Sequence, residues 1–172
     1  MTAETMVVLV DEGDFEIGEI DLETAHREGL LHRAVSVFVF NETGEMLLQR
    51  RASTKRLFAG RWANTCCTHP LPGEGVVPAG MRRLREEMGL SIALQPIGRF
   101  VYRAEDNRSG YVEHELDHVL VGRSEMTPTI NLDEADAYRW EPLDSLRRSA
   151  SGAEYAPWLD LALRAFPDLS AP

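Results

Sequence analysis

The sequence predicts a single α/β (α+β) domain in which a mixed β-sheet is sandwiched between α-helices. Predicted elements follow one another as strands, one central helix, further strands and finally helices, an order typical of a mixed sheet with helices packed on its faces. The chain has 172 residues, enough to bury a core of its own, and it contains no internal repeat or linker. Residues 34–40 are apolar on both faces of the predicted strand, which indicates a strand covered on both sides. We therefore expect one domain over residues 1–172.

The first part of the chain alternates short apolar segments with turns. Predicted strands cover residues 6–10, 16–20, 34–40, 45–49 and 61–67. Residues 21–29 are polar with poor periodicity, so we expect a loop or one or two helical turns there. Residues 41–44 have the composition of a hairpin turn.

The central helix is predicted from Val76 to Gly89. Pro78 lies in its first turn, where the missing N–H has no cost, and Gly89 is suited to the left-handed cap that ends many helices. Strands are then expected at 92–102, 111–121 and 137–141, with an acidic loop at 127–135. Helices are expected at 143–150 and 155–165.

Composition limits the function and the location of the protein. A net charge of -10 disfavours general nucleic-acid binding, so a phosphorylated substrate would need a local basic patch. The only two cysteines are neighbours and form no disulfide framework, which favours a reducing, cytoplasmic compartment. The apolar run 6–10 lacks the basic segment of a signal peptide, and no apolar run reaches the ~20 residues that span a bilayer. We expect a cytoplasmic monomer or weak homodimer with no nucleic-acid or membrane partner.

Three acidic side chains lie on one face of the predicted strand 111–121. Glu113, Glu115 and Asp117 alternate along the strand, and like charges in such a row destabilise a sheet unless a cation lies among them. The alternative is a solvated face of an edge strand. Three histidines lie close to the ends of predicted strands: His26, His32 and His69. Imidazole and carboxylate together suit zinc, manganese or iron better than calcium, which favours a metal site.

A cysteine and a basic segment are further candidates for function. Cys67 ends a predicted strand beside a glycine-rich loop, so it is either a small buried residue or a catalytic thiol; Cys66 points to the opposite face. Residues 50–61 contain five basic residues and no acidic one, and arginines recur on the central helix. These cations either bind an anion such as phosphate or form salt bridges with the surplus acids.

The stretch 68–90 resembles the Nudix box, G-x5-E-x7-R-E-U-x-E-E-x-G-U, where U is aliphatic. The matching residues are Glu74, Arg82, Leu84, Glu86, Glu87, Gly89 and Leu90. Thr68 replaces the first glycine, and Arg83 replaces the first glutamate of the R-E-U-x-E-E core. Nudix hydrolases use these glutamates to hold the magnesium that activates a water. The resemblance therefore implies that Arg83 removes a metal carboxylate and adds a ligand for a diphosphate.

This altered box is similar to that of the type 1 isopentenyl-diphosphate Delta-isomerase family, whose fold is of the Nudix type. The similarity extends over nearly the whole chain: L-H-R-A-V-S-V-F at 31–38, R-R-A-x-x-K at 50–55, W-A-N-T-C-C-T-H-P at 62–70, Y-R-A at 102–104, E-H-E at 113–115 and P-W at 157–158. The family's bacterial members often carry a lysine before the first histidine, and residues 21–24 have none. The resemblance implies an enzyme that interconverts isopentenyl and dimethylallyl diphosphate in isoprenoid biosynthesis. A Nudix diphosphohydrolase and a catalytically silent Nudix-type binding module are the alternatives.

The resemblance also implies a role for each site residue. The catalytic residues would be Cys67 and Glu115 as acid/base groups and Tyr102, which assists Glu115. The substrate would be held by Arg51, Lys55 and Arg83 at its diphosphate and by Trp158 at its hydrocarbon. One tightly bound Mn2+ or Zn2+ would be held by His26, His32, His69, Glu113 and Glu115, and Glu87 would help to hold a Mg2+ that arrives with the diphosphate.

Overall fold

The computed structural model describes residues 5–172; the first four residues of the predicted domain 1–172 lie outside it. The elements are, in chain order, β1 (Met6–Val10), β2 (Glu16–Asp21), α1 (Leu22–Glu28), β3 (His32–Phe40), β4 (Glu45–Arg51), β5 (Trp62–Ala63), β6 (Cys66–Thr68), α2 (Val76–Met88), β7 (Gln95–Glu105), β8 (Val112–Arg123), β9 (Ala135–Pro142), α3 (Leu143–Ser149) and α4 (Pro157–Ala165). The longest of these helices, α2, has 13 residues. None of the helices in the described part of the chain has the length and apolarity needed to span a bilayer.

Strand β3 is the centre of the sheet. It pairs in parallel with β8 along its whole length, from His32 opposite Glu115 to Phe40 opposite Arg123. Its middle also pairs antiparallel with β6, where Ser36 lies opposite Cys67. Because a strand has only two hydrogen-bonding edges, β6 and β8 lie on opposite sides of β3. The antiparallel strand β7 continues the sheet beyond β8, and β4 carries β5 and β9 on its two edges.

Both faces of β3 are buried under helices. Phe38 packs on one face with Leu159 of α4, and Val37 packs on the other with Leu84 of α2. All four side chains are completely buried. These contacts confirm the predicted mixed sheet between helices, and they explain why the segment is apolar at nearly every position.

The central helix has the predicted bounds. Gly89 adopts a left-handed conformation with φ 67°, and its N–H donates to the carbonyl of Arg85. The helix also packs closely on the sheet at Gly80, where an added Cβ would lie 2.6 Å from Leu120 Cδ1. Any larger residue at this position would require the buried side chain of Leu120 to shift.

The predicted single strand at 61–67 is wrong. The structure has two short strands, β5 and β6, separated by Asn64 and Thr65. Both of these side chains turn into the protein and bond to backbone groups of other strands: Asn64 Nδ2 donates to the Val37 carbonyl, and Thr65 Oγ1 donates to the Leu47 carbonyl. These long-range bonds replace the ladder that a continuous strand would form.

Smaller differences concern the ends of elements. The polar segment 21–29 contains the short helix α1, which is capped by the side chain of Asp21 and ended by Gly29 at φ 64°. Strand β4 extends through Arg51, so the first two residues of the predicted basic loop belong to a strand. Strand β7 begins at Gln95 rather than residue 92, and α4 begins at Pro157 rather than residue 155.

Candidate active site

Five of the six predicted metal-binding residues form one cluster. His26 lies on α1, His32 begins β3, His69 follows β6, and Glu113 and Glu115 lie on β8. Each offers one ligand atom, and these atoms all lie within 4.8 Å of one another. Both glutamates are only 6% exposed, which excludes the alternative of a solvated edge.

The cluster contains buried polar atoms without partners. His26 Nε2 and Glu113 Oε2 lie 3.1 Å apart, yet neither has a hydrogen bond of acceptable geometry, and His32 Nε2 also has none. His32 Nδ1 lies 2.8 Å from the carbonyl of Leu30, an arrangement that assigns the proton to Nδ1 and leaves the Nε2 lone pair facing the carboxylates. Buried nitrogen and oxygen atoms that lack hydrogen-bond partners and face one another are suited to coordinate a divalent cation.

The electrostatics of the cluster favour the same conclusion. Burial and neighbouring histidines lower the pKa of both His32 and His69 to about 3, so both rings are neutral and can act as ligands. Burial and the charge of Glu113 raise the pKa of Glu115 well above its ordinary value. Burial also acts to raise the pKa of Glu113, but His26 reverses this and holds it below its ordinary value. Two close carboxylates can both ionise readily only beside a positive charge.

The carboxylate of Glu115 has two further partners. Tyr102 lies opposite Glu115 in the register of β7 and β8, and its hydroxyl donates to Glu115 Oε2 at 2.6 Å. Burial and the nearby glutamate raise the pKa of Tyr102 well above its usual range, so the phenol keeps its proton. His69 Nε2 lies 2.9 Å from the other oxygen, Oε1. The carboxylate is thereby fixed between a phenol and the histidine cluster.

The thiol of Cys67 lies on the same side of the sheet as these carboxylates. Its sulfur donates to Asn64 Oδ1 at 3.2 Å and lies 3.5 Å from Ser36 Oγ, and that hydroxyl donates to Asp117 at 2.6 Å. Burial, with the charge of Asp117, raises the pKa of the Cys67 thiol, which therefore holds its proton. Cys66 is completely buried in the core beneath α2, as the predicted alternation requires.

A small cavity of about 90 Å³ joins these groups. Its walls are formed by Arg51, Lys55, Cys67, Thr68, His69, Tyr102, Glu113, Glu115 and Trp158. The indole of Trp158 is held by an edge contact with Phe58, at 5.4 Å between ring centroids, and Arg51 places its guanidinium carbon 5.2 Å from the centre of the indole. The cavity is thus acidic on one side and aromatic on another.

A second cavity, of about 340 Å³, adjoins the first and is rich in cations. The two share Lys55, Cys67, Thr68 and His69, and the second adds Arg83 and Glu134. Lys55 Nζ pairs with Glu134, and Arg83 pairs with the same carboxylate at 3.1 Å. Arg51, at the first cavity, donates twice to the carbonyl of Leu57.

Three other basic residues are engaged in ion pairs. Arg50 pairs with Asp136, Arg56 with Glu23, and Arg82 with Glu74. The alternative of salt bridges to surplus acids therefore holds for these three. The pair between Arg82 and Glu74, both Nudix-box positions, ties the loop before α2 to the helix with two bonds of 2.8 Å.

Glu87 is held apart from the five-residue cluster. Its Oε1 accepts from Arg83 Nη2 at 2.6 Å and its Oε2 from Gln49 Nε2 at 2.9 Å. Burial raises the pKa of Glu87, and the charge of Arg83 opposes that rise. The sixth predicted metal residue thus lies with the cations rather than with the histidines.

Sequence reasoning missed three residues of the site. Glu134 bridges Lys55 and Arg83, Asn64 accepts from the Cys67 thiol, and Ser36 lies between that thiol and Asp117. The signals were weak, because Glu134 lies in a loop 79 residues from Lys55. Ser36 is likewise 31 residues from Cys67.

Comparison with known proteins places the chain in a family. Residues 30–161 match the model of the NUDIX domain. An isopentenyl-diphosphate Delta-isomerase of Pectobacterium atrosepticum is 43% identical over 95% of this chain and 92% of its own length, and one of Nocardia farcinica is 46% identical over 89% of each chain. The crystal structure of DR0079 from Deinococcus radiodurans has a TM-score of 0.74 with 24% identity, covering 93% of this chain and 98% of its own, and so has the same fold. The chain belongs to the NUDIX-domain family and, within it, to the isopentenyl-diphosphate Delta-isomerases.

Proposed function

We propose that this protein is a type 1, metal-dependent isomerase that interconverts isopentenyl diphosphate and dimethylallyl diphosphate by protonation and deprotonation. One observation carries the proposal: a protonated thiol, a buried carboxylate and an indole, those of Cys67, Glu115 and Trp158, line one small cavity beside a cation-rich one. The names and high identity of the relatives support the same reaction.

The reaction explains why these groups are needed together. Moving the double bond requires a proton on the terminal carbon and the loss of another proton two carbons away. Protonation produces a tertiary carbocation, which water would trap, so the site has to be dry. An indole face tolerates a cation in such a site, and Trp158 is only 3% exposed.

The sheet separates the two proton-transfer groups. Cys67 is on β6 and Glu115 on β8, two strands that flank β3 and therefore lie about 10 Å apart at a strand spacing of roughly 4.8 Å. Cys67 is opposite Ser36 and Glu115 is opposite His32, so the two residues are also offset along β3. Both side chains line the same small cavity, where a short hydrocarbon chain can meet an acid and a base. Cys67 and Glu115 exchange protons with the carbon skeleton, and Tyr102 orients Glu115.

Metal ions complete the proposed site. The five-residue cluster would hold one tightly bound Mn2+ or Zn2+, whose charge keeps Glu115 available as a carboxylate. Glu87 would help to hold a Mg2+ that accompanies the diphosphate. The diphosphate itself is bound by Arg51, Lys55 and Arg83. Lys55 and Arg83 leave their ion pairs with Glu134 when the diphosphate binds.

The two alternative functions fit these residues less well. A diphosphohydrolase needs the box glutamate that Arg83 replaces, and this arginine pairs with Glu87, a neighbouring box glutamate. A silent binding module has no use for a buried thiol and five clustered ligands. We further propose that the enzyme acts in the cytoplasm as a monomer or weak homodimer, with no nucleic-acid or membrane partner.

An experiment in heavy water distinguishes isomerase activity from hydrolase activity. The enzyme, isopentenyl diphosphate and Mg2+ are incubated in heavy water, and the product is followed by proton spectroscopy while phosphate release is assayed in the same sample. We expect deuterium on the methyl group formed at the former terminal carbon and an intact diphosphate, because the delivered proton comes from an exchangeable protein group. Glu115→Gln should abolish this exchange. Release of phosphate or diphosphate without deuterium in the carbon skeleton would show a hydrolase instead.

A further inference from the structure

Asn64 connects the thiol to the indole through one atom. Its Oδ1 accepts from the Cys67 thiol at 3.2 Å and from Trp158 Nε1 at 3.0 Å. The side chain is completely buried. It lies in the break between β5 and β6, three residues before the thiol and 94 residues before the indole.

The amide of Asn64 is locked in this orientation. Its Nδ2 donates to the carbonyl of Val37 at 3.1 Å and to that of Cys66 at 3.0 Å. A flipped amide would face both carbonyls with an oxygen and would face the thiol and the indole N–H with a donor. The hydrogen-bond network therefore assigns the oxygen to the site side, where both of its lone pairs are used.

Asn64 is the principal partner of the thiol proton. The other polar neighbour, Ser36 Oγ, is 3.5 Å from the sulfur and already donates to Asp117 at 2.6 Å. Without Asn64 Oδ1, the S–H bond would lose its direction and the buried indole N–H would lose its partner. Both groups line the cavity in which the substrate is proposed to react.

We propose that Asn64 is a positioning residue for the isomerisation, which orients the Cys67 proton and the Trp158 ring together. This inference rests on the proposed function. It assigns no direct contact between Asn64 and the substrate, since this side chain is absent from the walls of the cavity. The diphosphate is held elsewhere, so Asn64 affects turnover rather than substrate affinity.

Three variants test the proposal. Asn64→Leu keeps the approximate volume of the side chain and removes the hydrogen-bond acceptor. Asn64→Asp, which is neutral when buried, keeps an oxygen that can accept from the thiol and the indole. Its carboxyl proton can donate to one of the two backbone carbonyls that Asn64 bonds. The control is Thr65→Val, because Thr65 is equally buried and also bonds two strands, at the Leu47 carbonyl and the Val39 N–H. Its side chain makes no hydrogen bond to Cys67 or Trp158.

The turnover of each variant is measured together with KM for isopentenyl diphosphate and with the unfolding midpoint. With two directed hydrogen bonds lost, Asn64→Leu should lower kcat roughly 10- to 100-fold and leave KM nearly unchanged. Asn64→Asp should stay within about tenfold of wild-type kcat even if its stability falls, since one acceptor remains. Thr65→Val should lose stability and keep its kcat.

The outcomes distinguish the inference from the proposed function. A wild-type protein that does not isomerise the substrate would overturn the proposed function and this inference with it. Wild-type kcat in a folded Asn64→Leu variant, or an equal loss of kcat in Thr65→Val, would overturn the inference alone. If Asn64→Leu does not fold, the folded Asn64→Asp variant decides: a kcat as low as that of Cys67→Ala would contradict the proposed role of the oxygen.

Discussion

Removal of metal from the histidine–glutamate cluster should lower the melting temperature by about 4–8 °C or more. Three buried atoms of the cluster have no hydrogen-bond partner: His26 Nε2, His32 Nε2 and Glu113 Oε2. His26 Nε2 and Glu113 Oε2 still attract each other at 3.1 Å, so we count them as one site. A buried polar group left unpaired costs at least about 1 kcal/mol, so the metal-free cluster carries a penalty of at least about 2 kcal/mol. In a chain of this size each 1 kcal/mol shifts the midpoint by about 2–4 °C, which gives the stated range.

The measurement compares the protein loaded with Mn2+ or Zn2+ with protein dialysed against a chelator. Calorimetry gives the midpoint of each sample, and elemental analysis gives the metal content. His32→Gln removes one ligand from a fully buried position, so its midpoint should no longer depend strongly on the metal. The control is His114→Gln: this histidine lies on β8 between Glu113 and Glu115, but it bonds to the Gly29 carbonyl outside the cluster, so the full shift should persist.

Two results would contradict this prediction. If chelation removed all metal and left the midpoint unchanged, the three atoms would have to be satisfied by water or by a rearranged cluster. An equal loss of the shift in His32→Gln and His114→Gln would instead show that the effect arises from general damage to the fold near β8. Either result would refute a metal held by these five residues.

Three further outcomes are expected. Cys67→Ala should lower kcat roughly 10²–10⁴-fold, because it removes an acid/base group. Cys66→Ala should keep its kcat and lose about 1 kcal/mol of stability, because it removes buried core volume. Steady-state kinetics measures kcat, and denaturant unfolding measures the stability of each variant. Arg83→Ala should raise the KM for isopentenyl diphosphate about 10- to 100-fold, while the exposed Arg85 on the same helix gives a control variant with unchanged KM. Burial acts to raise the pKa of Asp14, but the hydrogen bond from Arg33 and the charges of His118 and Arg33 bring it below its ordinary value of 3.8. The ionised carboxylate therefore stabilises the fold at pH above its unfolded pKa, and this stabilisation is lost as the pH falls. Asp14→Asn should lower the free energy of unfolding by roughly 1–3 kcal/mol at pH 7 and should match the wild type at pH well below 3.8. Denaturant unfolding at both pH values measures the difference.

The parts of the fold predicted well are those set by local signals. The end of α2 depends on one glycine that adopts a positive φ, and its first turn tolerates Pro78. The burial of β3 on both faces follows from its own apolar residues, since a strand exposed on either side would alternate. Neither feature depends on a distant part of the chain, so the sequence was sufficient.

The parts predicted poorly depend on distant partners. Asn64 and Thr65 resemble strand residues locally, but each side chain bonds to backbone at least 18 residues away, so the strand breaks. The basic residues could not be sorted by pattern either. Arg50 and Arg51 are neighbours, yet one pairs with Asp136 at the surface and the other reaches the cavity.

The candidate metal site lies between these two cases. Alternation placed Glu113 and Glu115 on one face, but it could not determine whether that face was solvated. The answer depends on α1, which packs against β8 and brings His26 to Glu113. The resemblance to a family provided the grouping that periodicity alone left open.

The spacing of the proposed proton-transfer groups is determined by the core. The parallel register of β3 and β8 places His32 beside Glu115, and the antiparallel register of β3 and β6 places Ser36 beside Cys67. A slip of one residue in either pairing would turn the polar side chains into the apolar face of the sheet and the valines out of it. Burial of those valines under α2 therefore opposes any slip. The free energy of burying several apolar side chains is larger than that of any single polar contact in the site. The chemistry is thus positioned by apolar packing on the other face of the same strands.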